Sequence, residues 1–200
     1  MNKKNRTWII VLVVLAVFIL GFLNWGIKTY NSFIGLEEGV SGQWANVENV
    51  YQRRSDLIPN LVATVKGYAE HEQETLTGVV EARAKASSVT VDPTNLTPES
   101  LAAFQQAQEG VSSALSRLLV TVERYPELKA NQNFLELQSQ LEGTENRIAV
   151  ERRKFNEITR GFNTSIRKFP NSVIAGITGF DQKGYFEAVE GSDVAPVVEF

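Results

Sequence analysis

The sequence predicts an all-α protein: one N-terminal transmembrane helix, then an antiparallel bundle of three to four long helices, then an irregular C-terminal tail. Three observations support this fold class: an apolar run near the N-terminus, apolar residues at helical spacing along most of the remaining chain, and the loss of that spacing near residue 170. The expected segments are a basic terminus over residues 1–7, a membrane helix over 8–27, the bundle over 28–169 and the tail over 170–200.

The membrane helix is predicted by the run from Trp8 to Trp25, in which only Asn24 is distinctly polar. A helix of this length spans about 27 Å, close to the ~30 Å thickness of the hydrocarbon layer. Trp8 and Trp25 stand at its two ends, where indole rings prefer the headgroup layer, so they are the predicted membrane anchors. A cleaved signal peptide is the alternative, but no small-residue cleavage site follows the run.

The flanking charges predict the orientation of this helix. Lys3, Lys4 and Arg6 precede the apolar run, and only Lys28 follows it closely. The excess of positive charge before the helix favours a cytoplasmic N-terminus. The expected location is therefore the cytoplasmic (inner) membrane, with a single pass and with the helical bundle outside the cytoplasm, in the periplasm.

Composition excludes several classes of function. The chain has no cysteine, so a disulfide framework, a thiol nucleophile and a cysteine metal site are all excluded. The net charge is -3, and the three N-terminal cations leave the remaining chain more acidic still. Such a surface repels phosphate backbones, so nucleic acid is not an expected partner.

Helical spacing of apolar residues predicts the bundle. From Leu36 onward the spacing continues for about 45 residues, which predicts one helix of roughly 50 residues that bends at Pro59. The stretch SSVTVDPTNLTPES ends it, and Thr97 followed by Pro98 predicts the capped start of the next helix. A further helix ends before Pro170 and carries a coiled-coil-like seven-residue repeat. Its members are Phe134, Leu141, Ile148, Phe155, Phe162 and Phe169.

His71 is the chain's only histidine, so it is the one histidine available for a metal site or a catalytic triad. The zinc-protease pattern requires a second histidine four residues later, where the chain has Thr75. A di-iron bundle requires Glu-x-x-His on two helices, and position 68 is Tyr68. No nucleophile elbow accompanies a Ser-His-Asp triad. The sequence therefore predicts no catalytic residue, no metal ligand and no cofactor.

Two lines of polar residues run along the first and last long helices. Either each line is a solvated face, or parts of the two lines meet in the bundle, with Arg53, Arg54 or Asp56 paired to Glu145 or Arg152. The first line comprises Arg53, Asp56, Asn60, Thr64, Gly67, His71 and Glu74. The second comprises Gln138, Glu142, Glu145, Arg152, Asn156, Thr159 and Asn163.

The last thirty residues contain four glycines and scattered aromatic residues. One interpretation is a tail that lies along the bundle with its aromatic side chains in grooves. The other is a segment that docks on a partner and becomes ordered on binding. The candidate docking residues are Phe180, Tyr185, Phe186 and Phe200.

The stretches RRSDLIPNLVATVKGYAEHE, YPELKANQNF and GTENRIAVERRKFNEITRGFN, with KFPNSVIAGITGF after them, resemble the LemA family. The resemblance covers the chain from Tyr30 to Phe200 and implies long antiparallel helices on a membrane anchor. It supplies no activity. The matching motif residues include Arg54, Asp56, Pro59, Asn60, Glu145, Asn146 and Arg147.

Two functions of different classes remain open at this point. The first is a non-enzymatic scaffold or adaptor of the bacterial cell envelope, which associates with itself or recruits other envelope proteins. The second is an enzyme or small-ligand binder that uses the polar stripe around Asp56, His71 and Glu145. A concave pocket lined by the stripe would favour the second.

Overall fold

The computed structural model describes the backbone of residues 3–187 and the side chains of residues 8–187. This part of the chain contains six helices and no β-strand, which confirms the all-α prediction. The helices are α1 (Lys3–Lys66), α2 (Gln73–Ser88), α3 (Pro98–Val122), α4 (Pro126–Lys129), α5 (Gln132–Arg167) and α6 (Asn171–Thr178).

The described residues form two compact units. One contains residues 3–40 and 160–182, and the other contains residues 41–159 and 183–187. In the first unit, the side chains of residues 8–24 are all exposed, and α1 is the one described helix that is long and apolar enough to cross a membrane. This agrees with the predicted membrane helix.

The second unit contains the predicted bundle. Along α1, Trp44 contacts the rings of Phe104 in α3 and Phe155 in α5, whereas Arg54 contacts Gln108 and Glu145 farther on. The contacted positions rise along α3 and fall along α5, so α3 runs parallel to α1 and α5 runs antiparallel to it. With α2 returning beside α1, four helices alternate in direction.

The seven-residue line on α5 is buried as predicted through most of its length. Phe134, Leu141, Ile148, Phe155 and Phe162 are all at most 7% exposed. Phe169, the last member, lies beyond the end of α5 and is 85% exposed. The repeat therefore predicts core residues only as far as the helix itself continues.

Three boundaries differ from the prediction. The expected helix of roughly 50 residues is wrong, because α1 ends at Lys66 and a turn over residues 67–72 separates it from α2. Gly67 opens that turn, where its backbone freedom favours leaving the helix. The membrane helix is not a separate element, since α1 runs unbroken for 64 residues. The predicted irregular tail begins with the short helix α6.

The start of α3 matches its sequence signal. Thr97 has an extended backbone, and its side-chain oxygen accepts a hydrogen bond from the Ser100 amide at 3.2 Å. Pro98 occupies the first helical position, where a missing amide hydrogen costs nothing. Local cap chemistry therefore accounts for the position of this helix boundary.

Pro59 lies inside α1 without ending it. Proline has no amide hydrogen, so the carbonyl of Ser55 loses its intrahelical partner. Arg83 of α2 supplies one, because its Nε donates to the Ser55 carbonyl at 2.9 Å and to the Ser55 hydroxyl at 3.1 Å. The proline thereby creates an acceptor on α1 that holds α2.

We expect the effects of Pro59 and Arg83 to be coupled. Arg83→Met should lower the free energy of unfolding by about 1.5 kcal/mol, because the half-buried Ser55 carbonyl loses a charged donor. In a Pro59→Ala background the new amide satisfies that carbonyl, so the same change should cost about 1 kcal/mol less. The measurement is denaturant unfolding of the full chain in detergent. Lys85→Met on the exposed face of α2 is the control, and additive effects of the two substitutions would contradict the coupling.

Candidate functional site

Arg54 is the most heavily engaged polar side chain of the bundle and is only 2% exposed. Its Nη1 donates to Glu145 Oε1 at 2.7 Å and to the Ser112 hydroxyl at 2.9 Å. Its Nη2 donates to the carbonyl of Gln108 at 3.1 Å and to that residue's side-chain oxygen at 2.7 Å. One guanidinium therefore ties α1 to α3 and α5 together.

Tyr51, one helical turn before Arg54, extends this buried polar cluster. The Arg54 guanidinium lies 5.1 Å from the centre of the Tyr51 ring. Burial raises the pKa of Tyr51, while the positive charges of Arg152 and Arg54 act in the opposite direction with smaller effect. The phenol therefore stays neutral and serves as packing and hydrogen-bonding surface at physiological pH.

The two polar lines behave differently. The first is largely solvated, since all its members are exposed apart from the half-buried Thr64. The second is partly buried, with Thr159 and Asn163 fully so. The two surfaces meet through Arg54 and Glu145, one of the pairings that the sequence left open, and Arg54 lies beside the first line instead of on it.

The acid–base candidates do not form one site. Asp56 is exposed and accepts a hydrogen bond from Gln52 at 2.8 Å. His71 lies in the turn after α1, and α1 runs on for about 15 Å between Asp56 and that turn. Glu145 is paired with Arg54. Among the described residues there is also no group of three or more His, Asp or Glu side chains that could hold a metal ion.

Other family-motif residues are spread over exposed surface. Asp56, Pro59 and Asn60 are exposed on α1, and the Asn60 carbonyl accepts the Thr64 hydroxyl at 2.8 Å. Asn146 and Arg147 are exposed on α5. The motif therefore does not mark a single pocket.

The tail segment, residues 183–187, is held in an extended conformation by side chains of the bundle. Asn156 donates to the carbonyl of Phe186 at 2.8 Å and accepts its amide at 2.9 Å. Gln105 makes the same two bonds with the backbone of Glu187, each at 3.1 Å. Two side-chain amides, one on α3 and one on α5, thus each satisfy the amide and the carbonyl of one tail residue, as a hydrogen-bonded partner residue in a β-ladder would.

We name this surface the tail cradle and define it by Gln105, Arg152, Asn156 and the aromatic cluster below. Arg152 adds a bond to the Glu187 carbonyl at 2.8 Å and lies 4.8 Å from the centre of the Phe186 ring. The Phe186 side chain is 5% exposed. It packs among the rings of Trp44, Phe104 and Phe155.

Gly184 allows the tail segment to approach the bundle closely. Its amide donates to the Leu96 carbonyl at 2.8 Å. A Cβ at this position would lie 2.9 Å from Pro98 Cα, a backbone atom that cannot move aside easily. Any larger residue here must therefore lift the tail segment away from the start of α3.

The predicted docking residues lie in different environments. Phe186 fills the tail cradle, whereas Tyr185 beside it is 41% exposed. Phe180 belongs to the first unit, where its ring packs against Tyr30 and Phe33. Phe200 lies outside the described residues. Whether these residues bind a partner remains a prediction.

Sequence reasoning named Arg152 and Asn156 as members of a polar line but missed their role as tail ligands. It did not single out Gln105 at all. The sequence contains only a weak signal for this role, because these residues share no motif. Only the tertiary fold brings α3, α5 and the tail together. Phe155 was predicted as a core position of the seven-residue repeat, but the pocket that it forms with Trp44 around Phe186 was not predicted.

Comparison with known proteins places the chain among membrane-associated helical proteins. Residues 43–200 match the LemA family. The chain is 26% identical over 204 residues to magnetosome protein MamQ 2 of Paramagnetospirillum magneticum, covering 94% of this chain and 75% of that protein. It is 25% identical over 186 residues to protein LemA of Metamycoplasma hominis, covering 93% and 80%.

We expect the loss of Glu145 alone to destabilise the chain more than the loss of both Arg54 and Glu145. Glu145→Gln should lower the free energy of unfolding by about 2 kcal/mol, because it leaves a buried guanidinium without its carboxylate. The value lies below that of a fully buried pair, because the Glu145 side chain is 43% exposed and water replaces part of the interaction. Arg54→Met together with Glu145→Gln should cost less than Glu145→Gln alone.

The measurement is denaturant unfolding of the full chain in detergent, monitored by circular dichroism. Arg53→Met, on the exposed neighbour of Arg54, is the control and should change stability by less than about 0.5 kcal/mol. Equal losses for Arg53→Met and Glu145→Gln would show that the ion pair carries no stability.

Proposed function

The chain belongs to the LemA family, and from that premise we propose that it is a membrane-anchored helical scaffold of the bacterial cell envelope, without catalytic activity of its own. In this proposal the chain crosses the inner membrane once, with its N-terminus in the cytoplasm and its bundle in the periplasm. Its task is to hold envelope components together, beginning with further copies of itself.

The observation that carries the proposal is the use of ionisable side chains as structural links. Glu145 neutralises a buried arginine, and Glu72 accepts the Tyr125 hydroxyl at 2.9 Å and pairs with Arg124 at 2.9 Å. An enzyme needs such groups convergent and accessible to substrate. Here Glu145 and Glu72 are engaged in structural pairs, whereas Asp56 and His71 lie on the surface apart from them.

The tail cradle provides a means of association. It binds the main chain of an extended segment and one aromatic side chain, the mode by which many proteins bind peptides. A tail from a second copy fits this cradle as well as the chain's own tail, because the atoms are identical. We therefore assign self-association to reciprocal exchange of tail segments between copies.

Ligand binding is the alternative, and one feature favours it. A groove of about 490 Å³ has leucines, Leu61 and Leu141 among them, on its floor, and Glu142 and Asn146 on its rim. It is open to solvent, and the one carboxylate of the proposed acid–base stripe that lines it, Glu145, is paired with Arg54. The groove is better suited to bind an apolar ligand than to catalyse a reaction.

Tail exchange predicts a specific crosslink between copies. Two differently tagged full-length chains are co-expressed, one with Gln106→Cys beside the tail cradle and the other with Glu187→Cys. Because the native chain has no cysteine, a crosslinked product that carries both tags joins these two positions. We expect a covalent product that carries both tags in intact cells.

Two matched glycine variants show whether the tail cradle is responsible. Gly184→Ala in both chains should remove most of the product, because the added Cβ collides with the α3 backbone. Gly143→Ala, whose Cβ meets nothing within 4 Å, should leave it unchanged. Absence of a product that carries both tags would refute exchange, and a product insensitive to Gly184→Ala would place the contact elsewhere. Recovery of a different envelope protein instead would assign the scaffold another partner.

The proposed orientation predicts which cysteine positions an impermeant reagent can label from outside the inner membrane. Single-cysteine variants Asn5→Cys and Glu157→Cys are treated with a membrane-impermeant maleimide in cells whose outer membrane is permeable. We expect Glu157→Cys to label in these cells and Asn5→Cys to label only after lysis. The reverse pattern would place the bundle in the cytoplasm.

A further inference from the structure

The corner between α5 and α6 exposes a patch of large apolar side chains. We name this the corner patch and define it by Phe169, Val173 and Ile177, which are 85%, 45% and 77% exposed. Val173 and Ile177 share one face of α6, while Ile174 and Ala175 are buried on the other. Large exposed apolar groups held close together mark an interaction surface.

Phe169 lies in the turn that joins α5 to α6. The Ser172 amide donates to the Lys168 carbonyl at 2.8 Å, which is the spacing of an α-helical bond. This bond closes the turn that carries Phe169. Four-residue spacing places Val173 and Ile177 on one face of α6, and the exposed Phe169 lies just before that helix.

α6 is packed beside the end of the apolar run. A Cβ at Gly26 would lie 3.6 Å from Ile174 Cδ1, so the two helices approach closely where α1 has no side chain. Gly26 directly follows Trp25, which ends the apolar run. After α6, Gly179 turns the chain with a φ of 78°, and the Phe180 ring packs 5.3 Å from that of Phe33. Both ends of α6 are thus fixed to this part of α1.

This position corresponds to a particular layer of a bilayer. When the apolar run occupies the hydrocarbon core, Trp25 and Gly26 lie at its edge. The headgroup layer then extends outward for roughly 5–8 Å. A short helix held at this depth can bury an apolar face at the boundary between headgroups and acyl chains.

The charges around the corner patch complement lipid phosphates. Lys28, Arg167 and Lys168 are exposed, and in the described part of the chain none of them has an ion-pair partner. Cationic side chains at the membrane surface attract anionic headgroups, and their long stems allow the charges to reach them. A symmetric contact between two copies through this patch would instead bring like charges together.

We propose that α6 and Phe169 form an interfacial membrane anchor, in which Phe169, Val173 and Ile177 enter the lipid surface while Arg167 and Lys168 bind anionic headgroups. The occupant of the corner patch is therefore the bilayer that α1 crosses. This second attachment is independent of the scaffold function, because it requires neither the tail cradle nor a second copy.

Depth-dependent fluorescence quenching tests the proposal in the full-length chain. The native chain has no cysteine, so Ile177→Cys carries a single environment-sensitive probe. The protein is placed in nanodiscs that contain phosphatidylcholine and phosphatidylglycerol, with quenchers at shallow or deep acyl positions. Leu15→Cys in the apolar run is the deep reference. Glu38→Cys, which lies about 20 Å beyond Trp25 along α1, is the aqueous reference.

We expect the probe at position 177 to be quenched by the shallow lipid quencher, with a blue-shifted emission, in discs that hold one chain each. Quenching no stronger than at position 38 would overturn the proposal. Quenching or a blue shift that requires two chains in a disc would overturn it in favour of contact between copies. Circular dichroism confirms that each labelled chain remains helical.

The charges provide a second readout. Arg167→Gln and Lys168→Gln should each reduce the ratio of inserted to free probe about fivefold in discs with anionic lipid. In discs of phosphatidylcholine alone the same substitutions should have little effect. Arg153→Gln, an exposed arginine on α5 outside the corner, is the matched control. Equal effects in both lipid compositions would contradict headgroup binding.

Discussion

The bundle depends on a buried positive charge. Arg54 must keep its carboxylate and amide partners in place, because an unpaired guanidinium in the core is costly. A planar guanidinium also requires its partners in fixed directions, which a lysine would not. The seven-residue repeat of α5 allows the helix to slide by one heptad and still bury apolar residues. The Arg54–Glu145 pair distinguishes among these registers, and only one of them satisfies it.

The same principle extends from the core to the tail. Asn156 and Gln105 satisfy both backbone groups of their tail residues, so an extended segment lies against the bundle without leaving those groups unpaired. Burial of Phe186 supplies the hydrophobic part of the contact. Arg152 and Asn156 of α5 therefore bind another part of the same chain.

The fold was predictable where local rules determine it. The apolar run, the Thr97 cap and the repeat on α5 each follow from spacing within one helix. The turn after Lys66 was missed because apolar spacing continues through Leu76, and it outweighed the single weak signal of Gly67. The helix α6 was missed because eight residues with a glycine give too short a pattern to identify. The partner of Arg54 and the role of Gln105 depend on tertiary packing, which spacing along one helix does not contain.

The way the tail is bound has a consequence for how its sequence can change. Asn156, Gln105 and Arg152 bind main-chain atoms of the tail segment, which every residue type except proline supplies in full. Two positions of the tail segment are constrained by shape: Gly184 by the α3 backbone and Phe186 by the aromatic cluster. The backbone bonds at positions 186 and 187 do not use the side chain of Glu187. Related chains can therefore diverge widely in tail sequence while retaining the same bound conformation.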